Sequence, residues 1–286
     1  MDIVKVTGEK EPFSSNKLCQ SISNAGAPPE MADTICRAIA ERIEPGATTT
    51  KIWRMALGYL IKEDLRLGAD YSLRRGLADL GPSGFLFEQF VEALLQAYNF
   101  DTERNVMMTG ISGVVHEIDV VARQGSQHAL IEAKYKNQYG LKTSVDVIMY
   151  AGARLDDVHA YQLKHEKGGG DNSHEMWVVT NTKFTKSSIK YAQHKNITLI
   201  GWNYPREGNL ADLISGKRMY PITVLPSLSS DEREKFTKKG IILVRDLLPY
   251  DPQYIASEFG IPPEIARIIV EEAYVLVKGG NPLVVK

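Results

Sequence analysis

Only two cysteines, Cys19 and Cys36, occur in 286 residues. That is too few for a disulfide framework and suits buried thiols in a reducing cytoplasm. Nowhere do about 18 apolar residues run together, so no segment is read as spanning a membrane. The opening MDIVKVTGEKEP is charged within its first five residues and has no apolar core, so it does not read as a signal peptide. An excess of charge of one sign is missing too: 34 Lys+Arg stand against 35 Asp+Glu, a net charge of −1. No global attraction for a polyanion follows, and any nucleic-acid site must be local. The six histidines include no close pair at metal-ligand spacing. The glycine-rich stretch 168–173 lacks the Gly-Lys-Ser/Thr ending of a phosphate loop. The expectation is a soluble, cytoplasmic, multidomain protein.

What is present is enough apolar sequence, 43%, for two domains or three small ones. An alternating segment, Ile3-Val4-Lys5-Val6, reads as a strand. Helical patterns follow over 17–25, 29–43 and 50–67, the second opened by Pro28-Pro29 and closed near Pro45-Gly46. Leu80-Gly81-Pro82-Ser83-Gly84 breaks that run. Phe87, Phe90, Val91, Leu94, Leu95 and Tyr98 then mark one buried helix face. Strand-like runs at 105–109, 114–122, 129–135, 176–180 and 197–201 enclose helical segments near 144–164 and 186–194. That order predicts a mixed sheet with helices on its faces. Pro221–Pro226 forms a second boundary, and the rest is helical and nearly repeats itself. The fold class expected is multidomain α and α/β. It has a helical module over 1–80, an α/β domain with a central mixed sheet over 84–220, and a small all-α tail over 226–280.

The densest chemistry lies in Glu117-Ile118-Asp119-Val120-Val121-Ala122 and Ile131-Glu132-Ala133-Lys134-Tyr135. If Gly125-Ser126 forms a two-residue hairpin turn, Asp119 and Glu132 oppose each other, and Glu132 and Lys134 share the face of Asp119. The other face of both strands, Ile118, Val120, Ala122, Ile131 and Ala133, is then buried. Two carboxylates are hard ligands for Mg²⁺ or Mn²⁺. A lysine beside them can stabilise an anion or hold a deprotonated water. A surface ion pair would explain a single Glu-x-Lys, but not an acidic pair with a lysine on a half-buried sheet. His116 points to the opposite face and reads as structural. Tyr150 and Gln162 follow on a helix near the site, with no role assigned.

These segments, together with Gly84-x-x-Phe87-Glu88, Val178-Val179-Thr180-Asn181 and Ile197-Thr198-Leu199-Ile200-Gly201, resemble the Mrr-like restriction endonuclease domain of the PD-(D/E)XK nuclease superfamily. The resemblance runs over about residues 84–216. It implies that Asp119 and Glu132 hold the metal, that Lys134 is the catalytic lysine, and that Glu88 is the acidic residue of the first helix. Ile118 stands where proline is usual. Lys136 and Lys142, interleaved with Tyr135 and Tyr139, are candidates for DNA phosphates. A second basic cluster, Lys183, Lys186, Lys190 and Lys195, follows with Tyr191.

Lys5-Val6-Thr7-Gly8-Glu9-Lys10-Glu11-Pro12-Phe13 and Thr48-Thr49-Thr50-Lys51-Ile52 resemble the ATP-cone domain, a small regulatory nucleotide-binding module. By that match Lys5 and Lys17 approach phosphates and Glu11 and Thr49 contact ATP or dATP; Val6 and Thr7 replace the usual Arg and Asp. The tail resembles paired helix-hairpin-helix motifs. In that reading Gly260 and Ile261 present backbone N–H groups to a DNA phosphate, with protein contact as the other use. The expectation is a Mg²⁺-dependent, nucleotide-regulated, homo-oligomeric DNA endonuclease of restriction, defence or repair. The competing reading is a non-catalytic DNA-binding or nucleotide-sensing regulator on a nuclease fold.

Overall fold

The computed structural model describes residues 1–279 apart from Val6, Pro82, Ser83, Tyr139 and 166–173. Expectations placed on Val6, Tyr139 and the 168–173 stretch therefore lie outside the described residues. Short strands β1 (Asp2–Val4) and β2 (Lys10–Pro12) pair antiparallel ahead of α1 (Ser15–Ser23), α2 (Pro29–Ala40) and α3 (Thr49–Glu63). Thr48 caps α3, its hydroxyl accepting from the Lys51 amide at 3.1 Å. The helix expected over 50–67 is broken at Asp64. That residue is extended, ends α3, and caps α4 (Leu65–Ala78) by accepting from the Arg66 amide at 2.7 Å. Ile3, Leu18, Ile22, Ile35, Ile39, Ile52 and Leu60 form the core of this module.

The α/β domain begins with α5 (Phe85–Ala97), followed by β3 (Asp101–Thr109), β4 (Val115–Gln124), β5 (Gln127–Lys134) and β6 (Lys142–Thr143). The long α6 (Val145–His165), β7 (His174–Thr180), β8 (Lys183–Phe184), α7 (Lys186–Lys195), β9 (Thr198–Ile200) and α8 (Leu210–Lys217) complete it. The central sheet has the order β3-β4-β5-β7-β9. Its first three strands are antiparallel and its last pairings parallel. This is the mixed sheet that the alternation of strands and helices predicts. Phe87 and Phe90 of α5 pack with Val120, Ala122, Ile131 and Ala133 on one face. Burying each ring contributes roughly 2–3 kcal/mol. Ile148, Ala151 and Val158 of α6 cover Val121, Leu130 and Val178 on the other.

The tail, α9 (Ser230–Lys238), α10 (Pro252–Phe259) and α11 (Pro263–Lys278), shares one core with α4, α5 and the sheet. Ser215 and Tyr220 add hydroxyl donors to Asp70 of α4, at 2.6 and 2.9 Å. Burial raises Asp70 above the usual carboxylate range, and the two hydroxyl bonds offset part of that.

Three sequence expectations need correction. Cys19 and Cys36 are joined as a disulfide, their Cα atoms 5.7 Å apart, because α1 and α2 pack side by side. They are not free thiols. Gly260 and Ile261 do not offer amides to a phosphate: both N–H groups donate to the Ala256 carbonyl in the left-handed cap of α10. Ile261 is buried, and Pro262 and Pro263 carry no N–H. Third, Ile118 does not share a face with Val120 and Ala122. Ile118 joins the α6 side, and those two join the α5 side. The cause is a phase change in both strands. Thr102 and Arg104 reach Gln96 and Glu92 of α5, whereas Val106 and Met108 pack toward α6. Between them Asn105 takes φ +54°, and its register partner Asp119 drops out of the ladder.

Candidate active site

The Gly125-Ser126 turn forms as expected, Gly125 with φ +59° and Gln124 pairing with Gln127. Asp119 and Glu132 are in register, but the β4–β5 ladder ends one pair earlier, at Val120 and Ile131. Beyond that point the strands part, and the Asp119 carboxylate replaces a backbone acceptor: the Ala133 amide donates to its Oδ2 at 2.7 Å. The side chain is thus fixed by the same strand that carries Glu132 and Lys134. Burial, then the neighbouring Glu132 carboxylate, pushes Asp119 up to about 7, and the nearby Glu88 adds to the effect. Glu88 on α5 is itself raised by burial and then by Glu117. Four carboxylates therefore crowd the point where the sheet splays. The Lys134 carbonyl accepts from the Thr180 hydroxyl at 2.7 Å, and its ammonium makes no ion pair with a described residue.

The sequence reasoning did not find Arg154. It lies on α6, and its Nη1 donates to Glu132 Oε2 at 2.7 Å and to the Glu117 carbonyl at 3.0 Å. The pair is 12% and 14% exposed, and Tyr150 supports the guanidinium with its ring centroid 5.0 Å away. Arg154 Nε is buried with no partner among the described residues. Nothing local in the sequence points to Arg154; the βαβ crossover brings it back over the strand. Glu117 could have been found, since it sits two residues before Asp119; its Oε1 accepts from Asn105 at 2.8 Å. Tyr150 does border the site, whereas Gln162 is bonded to His174 instead. His116 is structural, held by Asp157 at 2.7 Å.

Tyr135, next to Lys134, lays its hydroxyl against the carbonyls of Ala78 and Gly81, tying β5 to the end of α4. The Lys136 backbone is clamped at both ends by the Asn181 amide, at 2.9 and 2.8 Å. Lys142 and Lys183 are exposed register partners in the small β6–β8 sheet, so the two basic clusters meet at one edge. Among the described residues no three His, Cys, Asp or Glu form a ready cage for a metal. Asp119 and Glu132 fit a two-carboxylate, water-rich Mg²⁺ position, the usual way that ion is held. The mutual repulsion that raises Asp119 is what such an ion would relieve.

In the N-terminal module Glu11 Oε2 lies between Lys5 and Lys17, at 3.3 and 3.4 Å. Glu11, Lys17 and Thr49 line a cavity of about 240 Å³ walled by Phe13, Trp53 and Tyr71; Lys5 stands outside its lining. No helix among the described residues is long and apolar enough to cross a membrane.

Residues 82–203 match the family described as restriction endonuclease, and residues 220–277 match the AF1548-like C-terminal family. An uncharacterized protein of Archaeoglobus fulgidus is 33% identical over 180 residues, which is 63% of this chain and 95% of that protein. The crystal structure of the protein of unknown function AF1548 superposes with a TM-score of 0.52 at 30% identity. It covers 69% of this chain and 99% of its own.

Proposed function

The chain belongs to the AF1548-like family and carries a restriction-endonuclease-like domain, and from that premise we propose that it is a metal-dependent endonuclease hydrolysing phosphodiester bonds in DNA. The observation that carries this reading is the seating of Asp119 on the Ala133 amide. That bond holds the carboxylate near Glu132 and Glu88, against the strand that also carries Lys134. Asp119 and Glu132 hold Mg²⁺ or Mn²⁺. A bound ion supplies polarisation of the phosphate and a lower pKa for attacking water. Lys134 donates to the charge that develops on the phosphate oxygens or steadies the water. Lys136, Lys142 and Lys183 take the flanking phosphates. Arg154 neutralises Glu132 while no cation is there.

The cavity formed by Glu11, Lys17 and Thr49 takes ATP or dATP as a regulatory ligand, its phosphates drawing Lys5 and Lys17 away from Glu11. Such control requires that the nucleotide bind two conformations or assemblies of the chain unequally. A second reading, a DNA-binding or nucleotide-sensing regulator that does not cut, is favoured by one observation. The Arg154 guanidinium holds the Glu132 oxygen that a metal would need. A cleavage assay on methylated, unmethylated and branched DNA, with and without Mg²⁺, separates the two. Mg²⁺-dependent nicks or breaks support the endonuclease; binding without any cleavage supports the regulator.

A further inference from the structure

A second cavity, of about 370 Å³, opens where α3 and α4 of the N-terminal module meet the start of the tail. The size falls within the ~300–1,000 Å³ range of small-molecule sites. Its making depends on Gly76: a Cβ there would lie 2.8 Å from Val224 Cγ1, so only glycine lets the 223–226 segment approach α4 this closely. Thr223 fastens that contact, its hydroxyl donating to the Gly76 carbonyl at 2.7 Å. Around the opening stand three guanidiniums from three elements, Arg54 of α3, Arg75 of α4 and Arg233 of α9, against one carboxylate, Asp79. Arg233 lies 3.9 Å from Asp79, and the formal charges of the described lining residues sum to plus two.

The aromatic wall limits what could bind. The Arg75 guanidinium lies over the Trp53 ring, 3.8 Å from its centroid, and Tyr71 stacks on the same indole at 6.2 Å. With neighbours on the ring, Trp53 offers no open platform for a base. A guanidinium held over an aromatic face gains a cation–π contact and still carries N–H donors at its edges, outside the plane of the ring. That arrangement matches the flat, multiply charged edge of a phosphate group.

We propose that this cavity between modules is a second anion site, which binds the phosphate groups of a polyphosphate or of a DNA backbone through Arg54, Arg75 and Arg233. It is distinct from the cone-like cavity, with which it shares only Trp53 as a wall. It does not depend on whether the α/β domain cuts DNA.

The test uses the full chain in metal-free buffer, in a Lys17→Ala background that removes the phosphate attraction of the cone-like cavity. Calorimetric titration with inorganic tripolyphosphate should give saturable heat. Arg54→Glu, at an exposed rim position that the core does not use, should weaken binding by about tenfold or more. Arg37→Glu, the same charge change on exposed α2, should alter it by less than about twofold. Arg75→Lys keeps the charge but loses the stacked fork and should fall between them. A short duplex that tripolyphosphate displaces, and whose affinity falls with Arg54→Glu, assigns the site to the DNA backbone. A duplex indifferent to Arg54→Glu assigns it to free polyphosphates. Absence of heat in the Lys17→Ala protein, or equal losses with Arg54→Glu and Arg37→Glu, overturns the proposal.

Discussion

Two carboxylates in this chain meet opposite electrostatic fates. Asp119 is half buried on a sheet, surrounded by Glu132, Glu88 and Glu117, and its pKa rises to about 7. Glu11 lies on a short strand of the first module between two lysines. Slight burial raises it, but the Lys5 and Lys17 bonds and charges together bring it below its ordinary value. One centre has more negative charge than its surroundings satisfy. The other has its charge already answered. The first gains by taking a cation, and the second must release its lysines before they can hold an anion. A ligand at Asp119 fills a deficit; a ligand at Glu11 competes with an existing contact.

The largest expected effect concerns the first centre. Asp119→Ala or Glu132→Ala should lower Mg²⁺-dependent cleavage by about a thousandfold or more, if the ion carries the charge stabilisation assigned to it. DNA affinity measured in the same samples should survive, since the phosphate contacts are proposed for lysines elsewhere. A variant that cuts at the wild-type rate would remove the metal assignment.

Next comes Arg154, the cation paired with Glu132. Arg154→Ala strands Glu132 among like charges and should cost about 3 kcal/mol of stability in metal-free buffer. Mg²⁺ should restore most of the loss. Denaturant melts with EDTA and with Mg²⁺ check this, and equal losses in both would show that Arg154 acts only through packing.

The pH dependence is smaller and has a definite sign. An acid whose folded pKa lies above its unfolded value of 3.8 favours the fold when protonated. The contribution of Asp119 is therefore fully present below about pH 4 and is lost as pH rises through about 7. Asp119→Asn keeps an oxygen for the Ala133 amide and removes the titration. Its melting temperature without metal should match the wild type near pH 4 and exceed it near pH 7.5. A constant difference across that window would contradict the assignment.

The smallest effect belongs to the contrasting centre. Glu11→Gln should free Lys5 and Lys17 and tighten ATP or dATP binding by about three- to tenfold, while Lys17→Ala should remove it. Calorimetry paired with sedimentation reads both the affinity and any change of assembly. If Glu11→Gln weakens binding instead, the carboxylate contacts the nucleotide rather than competing with it.

The acidic pair was legible because a strand puts every second residue on one face and a two-residue turn fixes the register. Asp119 and Glu132 could be paired from spacing alone. Where that logic failed, it failed at Asn105, whose left-handed backbone shifts the phase of two strands and moves Ile118 to the other face. A side chain that tolerates positive φ does not announce that it will adopt it. Arg154 was beyond reach for another reason: it acts 22 residues from Glu132, across a crossover helix whose rotation no local pattern fixes. Gly260 was legible as a turn, but whether its amides face a ligand or the helix cap depends on the packing of α10 against α9 and α11.

By itself, then, the sequence determined the mixed sheet with helices on its faces, the longer strands and helices in their order, and the carboxylates and lysine carried by adjacent strands, since each follows from periodicity and chemistry within about twenty residues. Tertiary structure alone decided the counter-ion at Glu132, the disulfide between α1 and α2, and the arginine-lined cavity where α4 meets the tail. These depend on how separate helices rotate and approach, and such distances are set by the packing of whole cores rather than by any local run of residues.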